Sequence, residues 1–372
     1  MSEYQYYEFQ AIDRALGETD RETLRALSTR ARITATTFVN TYHFGDFRGD
    51  PEKLMERWFD LHLYFANWGS RRLMIRWPAR MIDRLRLSDF LSEVDGAALR
   101  SAGGNVILDM TRDEVEAEEN DEGEGLLAAL APLRADVMAG DLRLFYLLWL
   151  TAVEEDTFEA DAVEPMTGIG PLTGPLEAFA EFFAIDPDLV AAAAERSSGL
   201  ATSQQAASRA LALMPDSEKT EWLRRLFDAD PLVGAELRAW VREHEGAAAP
   251  SGLMRTVGEL RARAEELRLA GERAEAEREA AELARQANEA LSLRRTRLDA
   301  IVKRGAGAWR EVEAEIERRN AAGYENATRL LSDLQEIAQE SGATQDFQDR
   351  LRAIRERHQG KRTLIERLAS LG

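Results

Sequence analysis

The chain has no cysteine among its 372 residues. That absence excludes disulfides, thiolate nucleophiles, cysteine-ligated zinc and iron–sulfur clusters together. Histidine is almost as scarce: His43, His62, His244 and His358 are scattered, so a metal site would have to lean on carboxylates. The longest intensely apolar stretch, Leu142 to Val153, is interrupted by Arg143 and falls well short of the roughly 20 residues a membrane span needs. It predicts a buried core helix. The opening Met1-Ser2-Glu3-Tyr4 carries no basic segment followed by an apolar run, so the expectation is a cytoplasmic protein without export or membrane association. Lysine is rare too, with 4 Lys against 44 Arg.

What is abundant is mixed charge, 31% of the chain, beside 45% apolar residues, a balance that suits exposed helix faces over a sizeable core. The net charge of −19 is unevenly spread: residues 1–112 are balanced, residues 113–252 carry −20, and residues 253–372 carry +1. An acidic middle third repels nucleic acid and anionic membranes.

The predicted fold class is α+β, mostly helical. Over residues 1–112 a small mixed α/β domain is expected. Tyr4 to Ala11, Arg32 to Val39, Arg71 to Trp77 and Val106 to Met110 read as strands, the last after the turn-forming Gly103-Gly104-Asn105. Thr19 with Glu22 suggests a capping box for a helix ending at Leu27. Asp50-Pro51 opens a second helix, with Leu54, Trp58 and Leu61 on one face and His62 at its end. Residues 113–124 contain eight acids and no base and predict a solvated loop and domain boundary. A middle helical domain follows over 125–245, then a linker at 246–252 and a long charged helix at 253–304. Its 3.5-residue seam, Leu253, Val257, Leu260, Ala264 and Leu267, is broken further on by Arg278, which argues against a tight coiled coil. Amphipathic stretches through Trp309, Val312, Ile316, Leu330, Leu331, Leu334, Ile337, Phe347, Leu351, Ile354, Leu364 and Leu368 predict a small helical bundle over 305–372.

Three constellations bear on function. Between Gly69 and Arg86, Arg71, Arg72, Arg76, Arg80, Arg84 and Arg86 face one acid, Asp83, with Trp68 and Trp77 nearby. Guanidinium forks with aromatics suit nucleic-acid contact, while alternation with apolar residues suits a solvent-facing strand edge. His43, Asp46, Asp50, Asp60 and His62 hold metal-binding residue types without a recognised spacing, and ordinary turn, cap and structural roles account for them. The aromatics Phe38, Tyr42, Phe44, Phe47, Trp58, Phe59, Tyr64, Phe65 and Trp68 are dense enough to line a pocket and equally suit a core. Gly168 to Gly174 lacks the Lys-Ser/Thr of a phosphate loop, Arg48-Gly49-Asp50 and Asn326-Ala327-Thr328 are chance matches, and no Gly-x-Ser-x-Gly elbow is present.

The block Tyr4 to Phe9, with Ile33 to Phe38, Gly45 to Pro51 and Asn67 to Leu73, resembles a family of uncharacterised bacterial proteins, and that resemblance implies no activity. The tail Tyr324 to Leu368, with Leu330-Leu-Ser-Asp-Leu334 and Arg352 to His358, is similar to the helical tails of some SWIM-type zinc-finger proteins. The zinc motif itself needs cysteines that are absent, so no finger-like role is implied.

The favoured function is an interaction or scaffold protein that docks another polypeptide through its C-terminal helical arm, with Leu253, Val257, Leu260 and Leu267 as contact residues. The alternative is a nucleic-acid-associated factor using Trp68, Arg71, Arg72, Arg76, Trp77 and Arg80. A metal-dependent hydrolase ranks third. No catalytic residue, metal ligand or cofactor is assigned, and a non-enzyme is the expectation.

Overall fold

A computed structural model describes residues 3–115, 123–197, 204–244, 253–369 and 371. The predicted linker 246–252 and most of the predicted acidic loop lie outside them. The chain divides into two compact units, Met1–Gly271 and Glu272–Gly372. The predicted boundary near residue 113 does not separate compact units, because strands and helices on its two sides share one core.

The first unit is built on a seven-stranded antiparallel sheet of β1 (Gln5–Gln10), β2 (Arg32–Ile33), β3 (Thr37–Tyr42), β4 (Leu61–Ala66), β5 (Arg71–Pro78), β6 (Ala97–Ala102) and β7 (Asn105–Arg112), in the order β2-β3-β1-β4-β5-β7-β6. Side chains alternate between its faces. Phe9, Phe38, Met74 and Ile107 pack with Leu24 of α1 (Glu18–Leu27) and with Leu54 and Met55 of α2 (Pro51–Arg57). Leu61, Leu63, Phe65, Leu73, Ile75, Trp77, Leu108 and Met110 share the larger core with α3 (Arg84–Phe90), α4 (Leu126–Leu130), α5 (Pro132–Met138), α6 (Arg143–Glu154), α7 (Gly174–Phe182) and α8 (Pro187–Ala194). Every residue of α6 from Arg143 to Val153 is buried, as its apolar run requires. Helices α9 (Gln204–Leu213), α10 (Asp216–Phe227) and α11 (Val233–His244) follow.

Local chemistry sets several boundaries differently from the sequence expectations. The stretch 32–39 is not one strand but β2 and the start of β3 joined by a turn at residues 34–36, where the Thr34 hydroxyl accepts from the amides of Thr36 (3.2 Å) and Thr37 (3.0 Å). Helix α1 is capped at Gly17, whose amide donates to Asp20, so the pair is not Thr19 with Glu22. Helix α2 ends at Arg57, and His62 therefore lies on strand β4 and not at a helix end.

Helix α12 (Val257–Arg304) begins in the first unit and ends in the second. The second unit continues with α13 (Ala306–Glu317), α14 (Ala321–Glu340), α15 (Thr344–Arg357) and α16 (Arg362–Leu368) around a core of Ile301, Val312, Ile316, Leu331, Phe347, Leu351, Ile354, Leu364 and Leu368. Gly323 lets α13 and α14 approach: a Cβ there would stand 2.4 Å from the Glu315 carbonyl oxygen. No helix among the described residues is long and apolar enough to cross a membrane.

Candidate interaction surfaces

Strand β5 is interior to the sheet, so the arginines that alternate along it are not a solvent-facing edge. Arg71 is buried, with its guanidinium 3.8 Å from the Phe65 ring centre and one nitrogen donating to the Ala66 carbonyl at 2.8 Å. Arg72 points to the other face and grips Asp109 through two 2.7 Å bonds, which hold its pKa above the usual guanidinium value. Glu52 accepts from Arg72 at 3.2 Å and also pairs with Arg100, tying α2 to β5 and β6. Arg76 donates to Asp60 at 2.9 Å and to the Met55 carbonyl at 2.7 Å. Trp77 is fully buried and donates to the Arg134 carbonyl. Arg80 and Trp68 are exposed; Arg80 lies 3.5 Å from Glu236, and Trp68 donates to Ser70. The structure thus disperses the six residues expected to form one basic aromatic patch, because both faces of the sheet are covered and Arg72 and Arg76 answer the buried acids Asp109 and Asp60.

The histidine and aspartate group is likewise dispersed. Asp60 is fully buried and accepts from the amides of Ile12 (2.6 Å) and Asp13 (2.9 Å) as well as from Arg76. Asp50 caps α2, and Asp46 accepts from Gln5. His62 is fully buried, its ring 3.9 Å from that of Phe9 between centres. Its Nδ1 lies 3.0 Å from the Glu8 carbonyl, which can only accept, so Nδ1 carries the proton. Nε2 has no partner, and burial pushes the pKa down to about 3. His43 is exposed beside the Tyr4 ring. No group of three or more His, Asp or Glu side chains among the described residues could hold a metal ion.

The arm is rooted differently from its predicted seam. Val257 and Leu260 are fully buried in the first unit's core and Leu267 packs against it, whereas Leu253 is 90% exposed. These residues therefore do not form one outward docking stripe. Just before the helix, Arg255 is buried and donates through Nη2 to Glu164 at 3.1 Å and through Nη1 to the Ala192 carbonyl at 2.6 Å. Glu164 also accepts from the Tyr146 hydroxyl at 2.6 Å, and burial together with that carboxylate raises the tyrosine pKa. From Arg268 to Arg297 every residue of α12 is exposed, including Leu283, Leu291 and Leu293. Local ion pairs such as Arg268 with Glu265 and Arg285 with Glu282 line it.

Two further features were not singled out from the sequence. On α10, Leu223, Leu226 and Phe227 are exposed at a spacing that puts them on one helix face, and the helix buries none of its residues. A cleft of about 600 Å3 is lined by Asp95, Arg112, Asp113, Glu114, Glu154 and Glu155. Arg112 is held there by Glu154 at 3.2 Å and by the Phe183 carbonyl at 2.7 Å. The acidity of the middle third signalled a negative surface without locating it. No protein-family model, no curated protein and no solved structure matches this chain, and neither resemblance drawn above is extended by them.

Proposed function

We propose that this is a cytoplasmic protein-interaction or scaffold protein whose C-terminal arm, from Glu272 onward, engages another polypeptide. One observation carries the reading: a helix rooted in a buried core is exposed at every residue from Arg268 to Arg297. Those residues add little apolar burial to either unit, and local ion pairs supply only about 0.2–0.5 kcal/mol each. A helix maintained without apolar packing of its own, and tied to α14 only near its far end through Arg294, Arg295 and Arg297, presents a long surface to something else. The apolar stripe on α10 supports the same class of function, since clustered exposed apolar side chains mark contact sites. Nucleic-acid binding is less well supported, because Arg71, Arg72 and Arg76 are engaged inside the fold.

The test compares the full chain with a form ending at Gly271, which keeps the core residues Val257, Leu260 and Ala264. Both are cross-linked in native lysate and their captured proteins quantified, with light scattering to give mass. Loss of specific partners from a truncated form that still melts cooperatively supports the proposal. Retention of every partner and of the full assembly overturns it.

A further inference from the structure

The second unit carries a groove of about 340 Å3 between α13 and α15, lined by Trp309, Arg310, Glu313, Arg350, Ala353, Ile354 and Arg357. Its floor is apolar: Ile354 is buried, and Trp309 is half-buried against the bundle core. Its rim carries three guanidinium groups against Asp346 beside it and a single lining carboxylate, a net charge of +1 over the five. That carboxylate is already engaged, since Glu313 accepts from Arg357 and, at 2.7 Å, from Nε2 of His358. Arg350 lies 5.3 Å from the Trp309 ring centre and 3.0 Å from Asp346. Arg310 is exposed, and its side chain enters no ion pair or hydrogen bond among the described residues.

We infer that this groove docks an acidic segment of a partner protein, an apolar side chain entering over Trp309 and Ile354 while flanking Asp or Glu residues meet Arg310, Arg350 and Arg357. Charge complementarity selects this occupant. Guanidinium forks match carboxylates with two parallel bonds, and partial enclosure by Trp309 strengthens each contact relative to open water. The volume suits one or two side chains and is far too small to follow a polymer backbone. A nucleic acid fits poorly, because the groove holds a single ring and so offers no platform for successive bases. The inference rests on the proposal that the arm engages a polypeptide and names the chemistry of that partner.

The experiment uses the full chain and fluorescence anisotropy with a labelled library of short peptides, each with one Leu or Phe flanked by Asp and Glu. Matched peptides carry Asn and Gln instead, and a labelled oligo-dT strand is the third probe. Expected is saturable binding of acidic members, weakened about tenfold or more by the neutral replacements. R310E and R350E should each weaken it about tenfold with unchanged melting temperature, whereas R30E, the same charge change on an exposed turn of the first unit, should leave it within about twofold. No binding by any acidic peptide overturns the inference, as does binding indifferent to both groove reversals. Tighter binding of oligo-dT that is lost in R310E would assign the groove to nucleic acid instead. Partner loss on truncation at Gly271 without any effect of R310E or R350E would refute the groove alone and leave the arm proposal standing.

Discussion

His62 makes acid stability a direct probe of the first unit's core. The ring is fully buried, stacked on Phe9, with Nδ1–H spent on the Glu8 carbonyl and Nε2 unpartnered. Charging it would place a cation between aromatic rings, so its pKa falls from the ordinary 6.5 to about 3. A folded-state pKa below the unfolded one means that the unfolded chain takes up the proton first. The contribution is therefore complete above the unfolded value and is lost as the pH drops toward the folded value. Linkage between those two pKa values gives a loss of about 2 kcal/mol at pH 5 relative to pH 8, and about 3 kcal/mol at pH 4. The perturbation is His62→Leu, which removes the titrating group together with its unpaired acceptor and keeps an apolar side chain against Phe9. Urea unfolding of the first unit's transition would be followed for both proteins across that range. Their difference in stability should favour the variant increasingly as pH falls, while all other titrations cancel. Parallel pH profiles would refute the assignment of a neutral buried imidazole.

Replacing Arg255 with Met should cost about 3–5 kcal/mol in the first unit, because Glu164 is left buried without its cation, and adding Glu164→Leu should restore much of the loss; urea midpoints decide, and a near-neutral single variant would show that the pair is dispensable. Arg76→Glu should prevent stable folding, since it sets a second carboxylate beside the fully buried Asp60; a soluble variant with native far-UV circular dichroism and an unchanged melt would contradict that placement. In hydrogen exchange, amides of Arg268 to Arg297 should exchange much faster than those of α6, and slow exchange there would reveal a covering surface, such as self-association, in the free protein.

Strands with strict alternation were legible from the sequence, and those set by local polar chemistry were not. Arg71 to Trp77 alternates apolar and charged residues, and β5 occupies that stretch. Its partner β7 was signalled by Gly103-Gly104, but β6 was invisible because Ala97 to Ala102 is an edge strand with few apolar residues to mark a period. The helix read through Leu54, Trp58 and Leu61 joined two elements by accident of spacing. What separates them is Asp60, whose carboxylate takes the Ile12 and Asp13 amides and fixes the chain as it enters β4. A residue 48 positions from its hydrogen-bond partner leaves no periodic trace. The arginines of β5 failed for a related reason. Alternation shows that Arg72 and Arg76 share a face, but not that α2 covers that face and that Asp109 and Asp60 await them there.

The same limit governs the interaction surfaces. Helix α7 places Leu176, Phe179 and Ala180 at i, i+3 and i+4, and all are buried; α10 places Leu223, Leu226 and Phe227 at the same spacing, and all are exposed. Periodicity establishes that a helix has an apolar side and is silent about what covers it. The arm repeats the lesson in one element. Val257 and Leu260 continue into Ala264 and Leu267 as a regular seam, yet the seam is consumed by the first unit's own core and leaves the later turns bare. Charge gave no guide to the groove, since residues 253–372 hold nearly equal acids and bases and only the fold can segregate them. Arg310, Arg350 and Arg357 lie up to 47 positions apart and converge because α13 and α15 pack through Val312, Ile316, Leu351 and Ile354 around Phe347. The apolar pattern, which was read correctly, thus assembled a cationic rim that no inspection of the charges in sequence order would have grouped.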